Sequence, residues 1–202
     1  MFRSPKILQW MFPSRIWGIS VSTKTVFLTF DDGPDPEVTP WLLDFLHQQD
    51  VKATFFCVGA NVVKQPELMA RILSEGHAIG NHTMNHEKET TVSATEYLMS
   101  IDKAASLIES NLFRPPYGRL KKKTEAVIPK KYKIIMWSWL SYDYDTSVSI
   151  RKILRKAQKI KSGDILVFHD NKKTKERLRA VLPEIINILK NKGFQFNILQ
   201  QH

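Results

Sequence analysis

Apolar residues recur along this chain in two rhythms. Short unbroken runs at TVFLTF (25–30), ATFFCVG (53–59) and DILVFHD (164–170) read as strands covered on both faces. HAIGNH (77–82), LFRPPYG (112–118), KIIMWSW (133–139) and FQFNIL (194–199) hold further short strands. Helical spacing fills the intervals. Thr39 and Pro40 suit the N-cap and first position of a helix through WLLDFLHQQ, and Pro66 can open ELMARILSE, with Gly76 to close it. Ser93 and Glu96 stand at capping-box spacing before EYLMSIDKAASLIES. Residues near 121–128 and 149–160 also read as helical. The last helix aligns Leu178, Val181, Leu182, Ile185, Ile186 and Leu189 on one face, and Gly193 can end it. Strands alternating with helices predict one α/β domain with a mainly parallel sheet, open or closed into a barrel.

In such folds reactive side chains gather at the carboxyl ends of the strands. Here those exits carry Asp31 and Asp32, then His82 and His86, then Arg114, then Asp143, then His169 and Asp170. Any one of these means little alone. A charged or imidazole group at every exit is the signal.

Composition changes this picture only slightly. With 43% apolar and 25% charged residues, the chain has the balance of an ordinary globular protein. Its formal net charge of +10 fits an anionic partner, and equally a solvated basic surface. The Lys runs at 121–123 and 172–175 are not interleaved with aromatics, so nucleic-acid binding is not expected. Cys57 is the single cysteine, in an apolar run, and reads as a buried inert thiol. No segment is long enough to span a bilayer.

Residues 1–21 form a basic, aromatic arm ahead of a domain over 22–202. The arm lacks the pattern of a signal peptide: Pro13 and Arg15 break its apolar patch. Trp10, Met11, Phe12 and Trp17, mixed with Arg3, Lys6 and Arg15, could rest on a membrane surface or pack against the domain, and packing is the preferred reading. The compartment stays open between cytoplasmic and peripheral at the membrane.

HTMNH places His82 and His86 four apart, which on a helical turn puts both imidazoles on one face, ready to hold a metal. A carboxylate from Asp31 or Asp32 would complete a two-His, one-carboxylate set with open positions. The turn set by Gly33 and Pro34 can re-aim one of the neighbouring acids. One then binds the metal and the other takes a proton from the attacking water.

TFDDGP, HTMNH, RPPYG and LVFHD occur in that order over roughly residues 24–200, and together they resemble the polysaccharide deacetylase family, carbohydrate esterase family four. The resemblance implies a distorted (β/α) barrel of seven strands. It also implies metal-dependent removal of acetyl from N- or O-acetylated sugars, such as peptidoglycan, chitin oligomers, poly-N-acetylglucosamine or xylan. It implies Asp31 as base, Asp32, His82 and His86 as ligands of a divalent ion, zinc foremost with cobalt or nickel as alternatives, and Arg114 as partner of the base. His169 would be the acid and Asp143 its orienter. Pro116, Tyr117, Tyr144 and Val167 would lie against substrate, with the Tyr117 N–H on the oxyanion.

The stretch Leu140-Ser141-Tyr142-Asp143-Tyr144 departs from the family's D-x-x-D-W by a leucine and a tyrosine, which touches sugar recognition more than catalysis. The reading is N-deacetylation of a peptidoglycan- or chitin-oligomer-like glycan. An O-acetyl esterase and a non-catalytic glycan-binding protein are the alternatives. Among the other histidines, His47 reads as exposed on a helix, His77 as structural and His202 as terminal. Asp170 reads as a cap or pairing group, and Trp137 and Trp139 as core, with one able to line the cleft.

Overall fold

The computed structural model describes residues 2–200; Met1, Gln201 and His202 lie outside the described residues. In chain order the elements are α1 (Lys6–Met11), β1 (Thr25–Asp31), α2 (Thr39–Gln48), β2 (Thr54–Cys57), α3 (Gly59–Lys64), α4 (Pro66–Ser74), β3 (Ala78–Asn81) and α5 (Ala94–Ala105). There follow β4 (Leu112–Phe113), α6 (Lys122–Val127), β5 (Lys133–Ile134), β6 (Trp139–Leu140), α7 (Ile150–Ala157), β7 (Ile165–His169), α8 (Lys175–Asn191) and β8 (Gln195–Asn197).

Seven parallel strands pair in the order β5-β4-β3-β2-β1-β7-β6, and β8 branches onto the start of β1. The ends of that path, β5 and β6, are consecutive in the chain, so the sheet must curl until they approach. The result is the expected distorted (β/α) barrel in one domain. The arm crosses the remaining gap: Ile16 bridges Ile135 and Gly18 bridges Asp164, while Arg3 bridges Trp139.

Strand alternation divides the core into two sides. In β1, Val26, Leu28 and Phe30 join the main cluster beneath the helices, with Leu42 and Leu46 of α2 and Leu182 and Ile185 of α8. The odd residues face the barrel interior. Phe27 meets Phe56, Leu112 and Ile165 at the bottom, and Thr29 and Asp31 follow above it. The strand is therefore apolar on both faces except where the interior turns polar.

The capping box at Ser93 forms in full, and Gly76 and Gly193 take positive φ just past the helices they end. Three expectations need correction. Thr39 is the first helical residue and not the cap; its hydroxyl accepts from the Asp35 N–H and donates to Asp170. HTMNH is a loop and not a helical turn, with positive φ at Thr83 and His86. KIIMWSW splits into β5 and β6 because the carbonyls of Ile135 and Met136 turn inward to accept from the Arg114 guanidinium at 3.2 Å each.

Gly80 in β3 gives the Phe56 ring its place, since a Cβ there would lie 2.5 Å from a ring carbon. That ring stacks on Arg114, whose guanidinium carbon is 4.0 Å from its centroid. We expect Gly80→Ala to cost about 1–3 kcal/mol of stability through overpacking. An unchanged denaturation midpoint would contradict this packing.

Candidate active site

Every strand exit named from the sequence opens onto the same mouth of the barrel. The backbone there is under strain. Asp32, Thr83, His86, Tyr117 and Tyr142 all hold positive φ without being glycine, and all stand on these exit loops. At Asp32, φ is 84°, which breaks the strand alternation. Asp31 consequently stays on the interior face while Asp32 turns toward the histidines.

Asp32, His82 and His86 each offer one ligand atom, all within 4.8 Å of one another. The His82 Nδ1–H donates to the Arg114 carbonyl at 2.7 Å. That bond fixes the tautomer and leaves the Nε2 lone pair facing Asp32 Oδ1 at 3.7 Å. His86 Nε2 lies 3.1 Å from the same oxygen. Asp32 Oδ1 is buried and accepts no geometrically sound hydrogen bond among the described residues. Lone pairs converging on an orphaned carboxylate oxygen fit a cation, and two nitrogens with one oxygen suit a zinc-like ion.

The other atoms of Asp32 are held. Asn171 Nδ2 donates to Oδ2 at 2.6 Å, and Asn61 Nδ2 to the backbone carbonyl at 2.7 Å. Burial pushes His82 down to about 4, against the pull of Asp31 and Asp32, so it stays neutral and able to ligate. For Asp32, burial works the other way, but contact with His86 and the charges of His169 and His82 together hold its carboxyl well below the usual range.

Asp31 ends β1 beside this group, buried, with Oδ1 2.6 Å from Arg114 Nη1. The same nitrogen donates to Thr29 Oγ1 at 2.8 Å. On the neighbouring strand β7, in register with Asp31, the His169 Nδ1–H donates to Asp143 Oδ1 at 2.7 Å. Asp143 Oδ2 accepts the His169 backbone N–H at 2.8 Å. Burial alone would lower His169; the Asp143 carboxylate, then Asp32 and Asp31, outweigh it and push the imidazole up to about 9.

Tyr117 and Tyr144 are both exposed. The Tyr117 ring lies 4.7 Å from His86, and Tyr144 meets His169 edge-on at 5.2 Å. Pro116 is buried in the 3₁₀ turn Pro116–Gly118. Val167 is buried in β7, two residues before His169. Trp139 is core, whereas Trp137 is partly exposed and fills the space beside Gly118, under the RPPYG turn. His47 is exposed, and His77 is buried, accepting the Ala53 N–H on Nδ1.

Sequence reasoning missed two supports. Asn171 follows the LVFHD motif and holds Asp32. Asn61 holds the same residue from α3, a helix too short to show a period. Asp170, expected to cap or pair at the strand end, does so wholly buried beneath the DDGP turn, accepting from the Gly33 N–H at 3.0 Å and the Thr39 hydroxyl at 2.8 Å. A side chain on Gly33 would collide with it, which accounts for the glycine.

The chain matches the family model described as polysaccharide deacetylase over residues 18–133. It is 35% identical over 188 residues to a peptidoglycan-N-acetylglucosamine deacetylase of Bacillus cereus, an alignment covering 89% of this chain and 88% of that one. Against a chitooligosaccharide deacetylase of a Bradyrhizobium species the identity is 31%, over 93% and 94% of the two chains. A crystal structure of the Bc1960 peptidoglycan N-acetylglucosamine deacetylase superposes with a TM-score of 0.86 at 32% identity, covering 97% of this chain and 95% of that one. This chain belongs to the polysaccharide deacetylase family of hydrolases.

The paired His169 titrates in a defined direction. In metal-free protein its NMR midpoint should lie near about 9, and Asp143→Asn should lower it toward the ordinary 6.5. The folded chain prefers the protonated ring. Its stabilisation is therefore complete below about 6.5 and is lost as pH rises through about 9. A wild-type midpoint in the Asp143→Asn variant would show that Asp143 does not set this charge.

Proposed function

We propose that this protein is a metal-dependent deacetylase that hydrolyses the N-acetyl group of glucosamine units in a peptidoglycan- or chitin-oligomer-like glycan. One observation carries the reading: Asp31 and His169, register neighbours at the ends of β1 and β7, stand at the same barrel mouth as the Asp32–His82–His86 group, each fixed by its own buried partner. The relatives named above act on substrates of this kind, which supports it. Asp32, His82 and His86 would hold the metal, zinc by the donor set, with cobalt or nickel able to substitute. When bound, such an ion polarises the acetyl carbonyl and makes a nearby water more acidic.

The chain's own residues supply the rest. Arg114 grips one oxygen of Asp31, leaving the other to take a proton as water attacks the acetyl carbon. The Tyr117 N–H would stabilise the oxyanion. An amine cannot leave as an anion, so its nitrogen must be protonated as the C–N bond breaks. His169 holds a proton for that purpose. Its Nδ1 is engaged by Asp143, which leaves Nε2 to face the leaving nitrogen. The products are acetate and a free amine. Tyr117 and Tyr144 offer ring faces and hydroxyls to the flanking sugars.

The test is acetate release by metal-stripped protein, with and without added zinc or cobalt, on N-acetylglucosamine oligomers, peptidoglycan and acetylated xylan. We expect metal-dependent release from the first two. Release from xylan alone would move the assignment to ester hydrolysis. Asp31→Asn should keep the metal and lose about 10²- to 10⁴-fold in turnover. His82→Ala should lose the metal as well. Near-wild-type turnover in Asp31→Asn would overturn its role as base.

A further inference from the structure

The arm presents a surface that neither the fold nor the cleft uses. Ile7, Trp10 and Met11 stand at helical i, i+3, i+4 spacing on α1, so they share one face. That face points to solvent: Ile7 is 59% exposed, Trp10 77% and Met11 44%. No residue of α1 is buried. The helix is nonetheless held firmly at both ends. Before it, Ser4 Oγ donates to the Trp137 carbonyl at 2.6 Å and the Ser4 N–H to the Ser138 carbonyl at 3.1 Å. After it, the Trp17 indole N–H donates to the Phe12 carbonyl at 3.2 Å, and the Arg15 guanidinium stacks on the Phe12 ring. A fixed helix that shows a tryptophan and two aliphatic side chains to water calls for a covering partner.

The surrounding charge identifies the partner. No acid precedes Asp31, while Arg3, Lys6, Arg15 and Lys24 all do. At the start of α1, Arg3 donates to the Lys159 carbonyl, beside the exposed Lys159 and Lys161. At its end, Lys122 Nζ stands 5.5 Å from the Phe12 ring, with exposed Lys121 and Lys123 on either side of it in sequence. The two acids paired with the arm are neutralised by its own arginines: Asp164 by Arg3 and Glu125 by Arg15. What remains is an apolar face set among exposed lysines, of which Lys121 is paired, at 3.6 Å, with the buried Glu89.

We propose that α1 is an interfacial docking element for an anionic phospholipid surface, seating Ile7, Trp10 and Met11 among the acyl chains while Lys6, Lys122, Lys159 and their neighbours meet the headgroups. A second copy of this chain would bring the same lysines against one another, so charge favours the lipid.

The test is co-sedimentation of the full chain with phosphatidylcholine vesicles, with and without one third phosphatidylglycerol. Binding should require the anionic lipid and weaken as salt is raised. The doubly substituted Ile7→Ser, Trp10→Ser chain should bind at least about tenfold more weakly, and Lys6→Glu should also reduce binding. These side chains are exposed, so acetate release from a soluble oligomer should be unchanged and serves as the folding control. Three results would overturn the proposal: no binding to anionic vesicles, undiminished binding by the double variant, or self-association of the wild type that the double variant abolishes without any vesicle binding.

Discussion

A single buried guanidinium holds the centre of this molecule. Arg114 sits inside the barrel, stacked on Phe56, with its charge met by Asp31 at 2.6 Å. A cation removed from water is tolerated only when its donors are engaged, and these are: Asp31, Thr29 and the carbonyls of Ile135 and Met136. Its own carbonyl accepts from His82. The residue that positions the candidate base thus also orients a candidate metal ligand, and the two cannot shift independently. Burial lowers the pKa of Arg114, and the Asp31 carboxylate offsets that only in part.

The same residue type is set to opposite tasks at this mouth of the barrel. His82 is desolvated and pushed down to about 4, which keeps a lone pair free. His169 is also desolvated, yet the Asp143 carboxylate pushes it up to about 9, which keeps a proton in place. Environment divides the two imidazoles between ligand and acid, and the adjacent aspartates are divided likewise by the positive φ at Asp32.

Much of this was legible in the sequence wherever a local pattern carries the physics. The apolar runs of β1, β2 and β7, the Ser93 capping box and the periodic face of α8 follow from residues close in the chain. The exits could be found because strands end in charged groups. What was not legible depends on contacts across the fold. KIIMWSW shows no break, since the carbonyls that interrupt it are captured by an arginine about 20 residues earlier. HTMNH has helical spacing, and its histidines converge through a strained loop instead. Asn171 and Asn61 have no spacing of their own to reveal them; each acts through a partner more than 25 positions away.

The division of labour between Asp31 and Asp32 is the claim on which the functional account rests. It is tested most directly by anomalous diffraction from crystals of the protein loaded with zinc. The account predicts one ion about 2.0–2.2 Å from an Asp32 oxygen and from Nε2 of both His82 and His86, with Asp31 still paired to Arg114 and outside the coordination sphere. An ion bound through Asp31, or no ion at these three residues, would contradict it.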